Sequence, residues 1–355
     1  MHEHRVRAVL PVYLPLEPDL WAEAQRLVHE ITTFEGLLIP GIDQWGDHTL
    51  AITAVDVDPS DKESFGPLDL PEETVEQYLL SPRIQWVLDC AVTAKFEVSE
   101  PFTLKRSDGG DEILPPDQAA DLVAQIITDG VTHFLPQLAV VSNLAGPGAL
   151  DLGAGHVSDG RFQRTAEEAI PSFSSCRRLM AEKGWPMIRE LPFSTAWCWT
   201  CDGDYLNGLG ETPVGRAFNA FTRLFESVAG ESSESLFWAL LGLEAVYSDG
   251  SSGVTHQVTS RIQLLLGEHA GLKKAFSHVY KVRSAFIHGG MSFPGKYFYY
   301  DGLPEYERYS EKVNDATELA GAMLVATLQE LIARGWHSVS FPISLSGDQK
   351  PPSRA

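Results

Sequence analysis

Five segments with helical periodicity follow one another in the C-terminal part of this 355-residue chain. They cover residues 214–228, 232–248, 255–266, 269–288 and 305–334. Glycines mark two of the stops, at Gly267 and at the Gly289-Gly290 pair, as expected where a helix ends. Amphipathic helices joined by short connections are typical of a bundle. The sequence therefore predicts an all-α helical bundle over residues 213–336.

The first 205 residues mix both periodicities and predict an α+β domain of unknown role. Residues 92–98 alternate apolar and polar side chains, as a half-buried strand does. Further strands are predicted at 5–14, 48–57 and 137–142, and helices at 18–31 and 117–128. The polar, glycine-bearing stretch 202–212 is the predicted domain boundary. The polar tail, residues 345–355, is predicted to be disordered.

A glycine-rich stretch at residues 146–160 resembles a phosphate-binding loop only in composition. Its glycine spacing matches neither the P-loop nor the dinucleotide-binding fingerprint, and no clear helix opens directly after it. A long turn is the better interpretation.

The formal net charge of −21 argues against a protein that coats nucleic acid non-specifically, because such binding needs many phosphate contacts by Lys and Arg. An acidic body with one basic cleft remains compatible with this charge. No stretch approaches eighteen consecutive apolar residues, which predicts no membrane span. The N-terminus lacks the pattern of a secretory signal, so we expect a cytoplasmic protein.

Four cysteines are too few and too scattered for a disulfide framework. Cys198 and Cys201 form a single C-W-T-C pair, which leaves half a zinc site, a redox dithiol or two structural thiols as alternatives. A closed zinc site needs two further ligands, and no second pair exists in the sequence. Two semi-buried structural thiols flanked by Trp197 and Trp199 are therefore the favoured interpretation.

A basic stretch stands out against the acidic background, because no Asp or Glu occurs between His269 and Asp301. The candidate RNA-binding residues in it are Lys273, Lys274, Lys281 and Lys296. His278 lies in the same stretch. A solvated helix face that happens to be positive is the alternative, since charge runs alone are weak evidence.

Arg283 and His288 close the fourth predicted helix and are the candidate catalytic residues. A guanidinium binds phosphate as a fork of donors, and an imidazole exchanges a proton near neutral pH. Five residues place the two side chains about 140° apart around a helix, although a long arginine can swing toward a histidine at the helix end. The alternative is a structural pair, in which Arg283 bridges to a carboxylate and His288 caps helical carbonyls.

The run from residues 236–247, through 259–267, to YKVRSAFIHGG at 280–290 resembles the Apea-like branch of the HEPN superfamily. Members of that branch carry a Leu-Glu pair in one helix, an Arg in the next and a Tyr-x-x-Arg-Ser-x-x-x-His-Gly run closing the following helix. The corresponding residues here are Glu244, Arg261, Tyr280, Arg283, Ser284, His288 and Gly289. The resemblance covers roughly residues 214–335 and says nothing about residues 1–200.

This resemblance implies a metal-independent endoribonuclease that needs no cofactor and cuts single-stranded RNA as a homodimer. Arg283 and His288 would be catalytic, with Ser284, Glu244 and Tyr280 in support. Glu244 is expected to pair with Arg283 or Arg261, and Arg261 to be structural. Related proteins often serve in antiphage defence or as toxins. A phage-derived or small-molecule trigger at the N-terminal domain is therefore the expected partner.

Two further points stay open at the level of sequence. The aromatic loop after His288, with Phe293, Tyr297, Phe298, Tyr299 and Tyr300, suits either base stacking or packing, and packing is favoured. The second hypothesis for the whole chain is a non-catalytic HEPN module for dimerisation or ligand binding, because a fold alone does not establish an activity.

Overall fold

The computed structural model describes residues 1–341 with short gaps. The gaps are residues 16, 38, 40–41, 43–44, 82, 106–108, 161–162, 166–172, 226–231, 251–252 and 292–303. The described chain consists of an antiparallel sheet region followed by a helical region. The predicted order of an α+β part before an all-α part is thus confirmed.

A six-stranded antiparallel sheet forms the first part, in the order β2-β3-β1-β7-β8, with β6 also paired to β1. Its long strands are β1 (His2–Tyr13), β2 (Asp47–Asp56) and β3 (Ile84–Phe96). Its short strands are β6 (Asp151–Leu152), β7 (His156–Ser158) and β8 (Gln163–Thr165). A separate hairpin pairs β4 (Phe102–Lys105) with β5 (Asp111–Leu114).

The two faces of the sheet are covered by different elements. Alternate residues of β1, among them Val6, Ala8 and Leu10, join the large core that also includes α1 (Trp21–Thr33) and α3 (Pro116–Ala145). On the opposite face Val9 belongs to a smaller core. That core includes the 3-10 helix Lys62–Leu68 and α2 (Glu72–Leu79). The period of two in β1 therefore serves two separate cores.

Seven helices follow the sheet region, α4 to α10. Their bounds are α4 (Ser174–Lys183), α5 (Phe193–Asp202), α6 (Pro213–Thr222), α7 (Ser232–Tyr247), α8 (Val254–Leu266), α9 (Leu272–Ile287) and α10 (Pro304–Arg334). The five predicted helices correspond to α6–α10 and their existence is confirmed. The first predicted helix, 214–228, continues from α6 as a 3-10 turn, Arg223–Phe225, and its residues 226–228 lie outside the described residues.

The predicted strand at 137–142 is wrong, because these residues continue α3, which runs to Ala145. All residues from Leu138 to Ala145 are buried, the polar Ser142 and Asn143 among them, so the segment has no exposed face. An apolar run of that kind does not distinguish a buried strand from a buried helix. Pro136 lies inside the helix, where proline is normally a sign of a helix end. The predicted long turn at 146–160 contains the short strands β6 and β7.

Helix α10 is the central element of the helical region. Among the described helices it alone contains a span long and apolar enough to cross a membrane, Glu307–Arg334. However, 83% of its most apolar 18-residue window is buried inside the protein. Its apolar side chains, such as Met323, Leu324 and Leu328, pack in the large core. The helix is accounted for by protein packing.

Helix α7 approaches α10 and α6 closely at a glycine. A β-carbon added to Gly242 would lie 2.9 Å from both δ-methyl groups of Leu324 and 3.3 Å from the β-carbon of Ala220. The small residue therefore sets the spacing between these helices at a point two residues before Glu244.

Several buried polar contacts join the sheet region to the bundle. The amide of Gln329 in α10 donates to the carbonyl oxygens of Leu144 (2.8 Å) and Arg189 (2.7 Å) and accepts from the Arg189 N–H (2.8 Å). Buried Glu23 of α1 lies 2.5 Å from Arg177 of α4. The large core also contains residues of both parts. The division into two domains stays a prediction, and the two parts share one continuous core.

We expect Gln329→Leu to lower the free energy of unfolding by about 1–3 kcal/mol, because it leaves one buried and two partly buried backbone groups without their partner. Gln77→Leu, on the exposed face of α2, is the control and is expected to change stability by less than about 0.5 kcal/mol. Urea denaturation followed by circular dichroism measures both. Equal stability of the two variants would show that these contacts do not hold the two parts together.

Candidate active site at the end of helix α9

The motif YKVRSAFIHGG forms the second half of α9 and its C-terminal stop. The helix ends at Ile287, and the His288 N–H donates to the Ser284 carbonyl oxygen at 3.0 Å. Gly289 follows with φ of 72°, a left-handed conformation that favours glycine. The predicted helix stop is confirmed, and its glycine has a clear conformational reason.

A single carboxylate organises the side chains around this helix end. Glu244 of α7 accepts a hydrogen bond at Oε1 from the Tyr280 hydroxyl at 3.1 Å. The Arg283 Nη2 atom lies 3.8 Å from the same oxygen. Burial and the Glu244 carboxylate both raise the pKa of Tyr280, so the phenol stays protonated and donates its hydrogen. Of the two arginines that sequence analysis offered Glu244, the structure brings Arg283 to it.

Arg283 retains most of its hydrogen-bonding capacity. Its side chain is 33% exposed, and the 3.8 Å approach to Glu244 is an ion pair rather than a hydrogen bond. Within the described part of the chain its guanidinium makes no hydrogen bond. The carboxylate thus orients the group while leaving its donors available to an anion.

His288 lies at the helix end with an exposed side chain. Its backbone caps the helix, whereas its ring forms no hydrogen bond, ion pair or ring contact with any residue that the structure describes. Of the structural alternative, the approach of Arg283 to a carboxylate is observed, and a side-chain cap by His288 is not. Within one chain the two predicted catalytic groups lie five residues apart at the end of α9, and no hydrogen bond joins them.

Arg261 has the structural position that the sequence predicted. Its Nη1 donates to the Tyr247 carbonyl oxygen, the last residue of α7, at 2.9 Å. Its Nη2 donates to Asp249 Oδ2 at 3.0 Å. The guanidinium thus satisfies a carbonyl group at a helix C-terminus, where a cation is favourable.

An open groove of about 590 Å³ lies between α8 and α9 beside this site. Its lining residues are Thr255, His256, Thr259, Ser260, Gln263, Lys273, Ser277, Tyr280, Lys281 and Ser284. Of the predicted RNA-binding lysines, Lys273 and Lys281 line the groove. Lys274 is exposed outside it, and Lys296 lies outside the described residues, as does the aromatic loop.

The α8 side of the groove was not predicted from the sequence. The sequence pattern of α8 places His256, Thr259 and Gln263 on the solvated face of an amphipathic helix. Their spacing of three and four residues does place them on one face, as it also places Lys273 and Ser277 on α9. What the sequence does not show is that these two polar faces meet.

Cys198 and Cys201 lie three residues apart on α5, and both are exposed. The Cys201 sulfur is nevertheless partly buried, and this burial is the main cause that raises the pKa of its thiol to about 11. The neighbouring Cys198 is the second cause. A redox dithiol works through a lowered thiol pKa, so this geometry disfavours that alternative. No group of three metal-binding side chains occurs among the residues described here.

Comparison of the chain with protein-family models, with curated proteins and with solved structures finds no match.

The raised pKa of Cys201 makes a measurable prediction. A Cys198→Ser variant keeps the larger cause, burial, so Cys201 should stay almost entirely protonated at pH 8, and only the thiolate reacts. Alkylation by iodoacetamide, followed by mass spectrometry, should therefore accelerate about tenfold per pH unit from pH 7 to pH 10. A rate that levels off near pH 8 would contradict the raised pKa. Cys90 and Cys176 are buried and serve as internal controls for folding.

Proposed function

We propose that this chain is a metal-independent endoribonuclease of the HEPN type that cleaves single-stranded RNA as a homodimer. The observation that carries the proposal is the arrangement at the end of α9. Glu244 orients Arg283 and leaves its donors available, and His288 presents an exposed imidazole one turn further along the helix. The Apea-like HEPN resemblance of the same residues supports this assignment.

Each residue has a defined role in the proposed reaction. Neutral His288 accepts the proton of the ribose 2′-hydroxyl, whose oxygen attacks the adjacent phosphorus. Arg283 binds the phosphate oxygens and offsets the negative charge that builds up in the transition state. The bond from phosphorus to the 5′ oxygen breaks, and an imidazolium returns a proton to that oxygen. The products are a 2′,3′-cyclic phosphate and a 5′-hydroxyl end.

A second copy of the chain is part of the proposal, because the HEPN resemblance implies a homodimer and no hydrogen bond joins Arg283 to His288 within the described chain. Phe237 and Leu241 are 39% and 42% exposed and share the face of α7 that carries Glu244. Ile287, 46% exposed, lies one turn from Arg283 on α9. These apolar side chains border the site from two helices. A dimer that covers them would bring two sets of Arg283 and His288 together.

The sheet region would then regulate the nuclease. Hydrogen bonds of Gln329 connect it to α10. A phage-derived or small-molecule trigger that binds the sheet region would act on the bundle through these contacts. Service in antiphage defence or as a cytoplasmic toxin fits this arrangement.

The second candidate function is a non-catalytic HEPN module that binds a partner or ligand. The separation of Arg283 and His288 within one chain favours it, because both residues are then free to contact a bound molecule without acting together.

Cleavage assays distinguish the two functions. We expect the wild-type protein to cut labelled single-stranded RNA in EDTA, and Arg283→Ala and His288→Ala each to lower the rate at least about 100-fold. Arg216→Ala on α6 and His278→Ala on α9 are matched controls at exposed positions and should stay within about twofold. Analysis of the product ends should show a cyclic phosphate.

Retained cleavage by both active-site variants would point to a contaminating nuclease. Absence of cleavage by the wild type, both alone and in lysate from phage-infected cells, would favour the non-catalytic module.

The dimer has its own test. We expect Leu241→Asp to convert a dimer into monomers, because a buried carboxylate at an apolar interface is costly. Leu264→Asp is the control, since this side chain is 74% exposed on a different face, on α8. Sedimentation velocity of the purified variants measures the change. A wild-type monomer at tens of micromolar, or a dimer unaffected by Leu241→Asp, would contradict the proposed interface.

A further inference from the structure

The groove between α8 and α9 is lined as far as Ser284, one turn before His288. On α9 its lining residues Lys273, Ser277, Tyr280, Lys281 and Ser284 fall within a sector of about 100° around the helix axis. His288 falls within the same sector. From Lys273 to His288 the helix rises about 22 Å, at 1.5 Å per residue. The groove therefore leads along one side of the helix to the proposed catalytic end.

The charge of the groove is opposite to that of the chain. Lys273, Lys281 and His256 line it, and no Asp or Glu does. Neither lysine forms an ion pair with a residue that the structure describes. In a protein with a net charge of −21, two ammonium groups without carboxylate partners on one groove favour an anionic occupant.

The hydroxyl groups of the groove suit a ligand that both donates and accepts hydrogen bonds. The hydroxyl groups of Ser277 and Ser284 form no hydrogen bond within the described parts of the chain. Thr259 and Ser260 donate to carbonyl oxygens of their own helix and keep lone pairs that can accept. Ribose 2′-hydroxyls and phosphate oxygens supply both kinds of partner. An acidic peptide side chain supplies acceptors only.

We propose that this groove binds the RNA strand on one side of the scissile phosphate, with the backbone phosphates on Lys273 and Lys281. At about 3.4 Å per stacked nucleotide, the 22 Å from Lys273 to His288 correspond to about six nucleotides. The proposal rests on the assignment of His288 to RNA cleavage for its direction along the groove. Its binding test is independent of cleavage.

The test measures binding of fluorescent eight-nucleotide single-stranded RNA by anisotropy, in a His288→Ala background that prevents turnover. Lys273→Glu/Lys281→Glu should weaken binding at least about tenfold. The slope of the log association constant against the log salt concentration is negative. The variant should make this slope shallower by about 1.4, because two phosphate contacts are lost. Lys183→Glu/Lys312→Glu carries the same charge change at exposed positions outside the groove and should change affinity by less than about threefold.

Two further measurements sharpen the assignment. Affinity should rise with RNA length up to about six nucleotides and then level off. Single-stranded DNA of the same sequence should bind more weakly, because it lacks the 2′-hydroxyl. Thermal melts of all variants confirm that each is folded before its affinity is compared.

The outcomes separate this inference from the nuclease assignment. Cleavage by the wild type together with unchanged binding by the groove variant overturns the groove and leaves the nuclease standing. Loss of binding in the groove variant without cleavage by the wild type supports the groove and removes the nuclease. The groove inference is also overturned if the wild-type protein binds no RNA, or if it binds polyglutamate as tightly as RNA.

Discussion

The burial of α10 is the constraint on which the rest of the structure depends. Its apolar side chains lie in the same core as residues of the sheet and of the other bundle helices. Its one buried amide, Gln329, is satisfied only by backbone groups of the preceding region, at Leu144 and Arg189. A buried amide without partners is costly, so the helix and the sheet region must be placed together. The bundle consequently has a fixed position on the sheet.

The electrostatics of the candidate site follow from a carboxylate contributed by a different helix. The stretch from residue 270 to 300 contains no acidic residue, yet the fold brings Glu244 to Arg283 and Tyr280. The Glu244 carboxylate orients the guanidinium of Arg283. The groove beside it has lysines and hydroxyls without any acid, so cationic and anionic groups are separated over a short distance.

The helices were predictable because apolar periodicity and glycine stops agree with each other, as at Gly267 and Gly289. Segment 137–142 was not, because uniform burial removes the periodicity that distinguishes strand from helix. Helix α5 was not predicted either, because its aromatic and cysteine side chains were interpreted in terms of thiol chemistry. The α9 half of the site was visible as a local motif. The α8 half depends on how two helices pack, which no local pattern specifies.

The close packing at Gly242 links the interior of the bundle to its surface chemistry. A side chain at this position would meet the δ-methyl groups of Leu324, so either that side chain or the backbone of α7 has to move. Glu244 sits half a turn further along the same helix, and its carboxylate lies only 3.8 Å from Arg283. A shift of a few tenths of an ångström in the backbone is a sizeable fraction of that separation. Substitution of Gly242 would therefore alter how firmly Glu244 holds the guanidinium of Arg283. No residue that contacts a ligand would have to change.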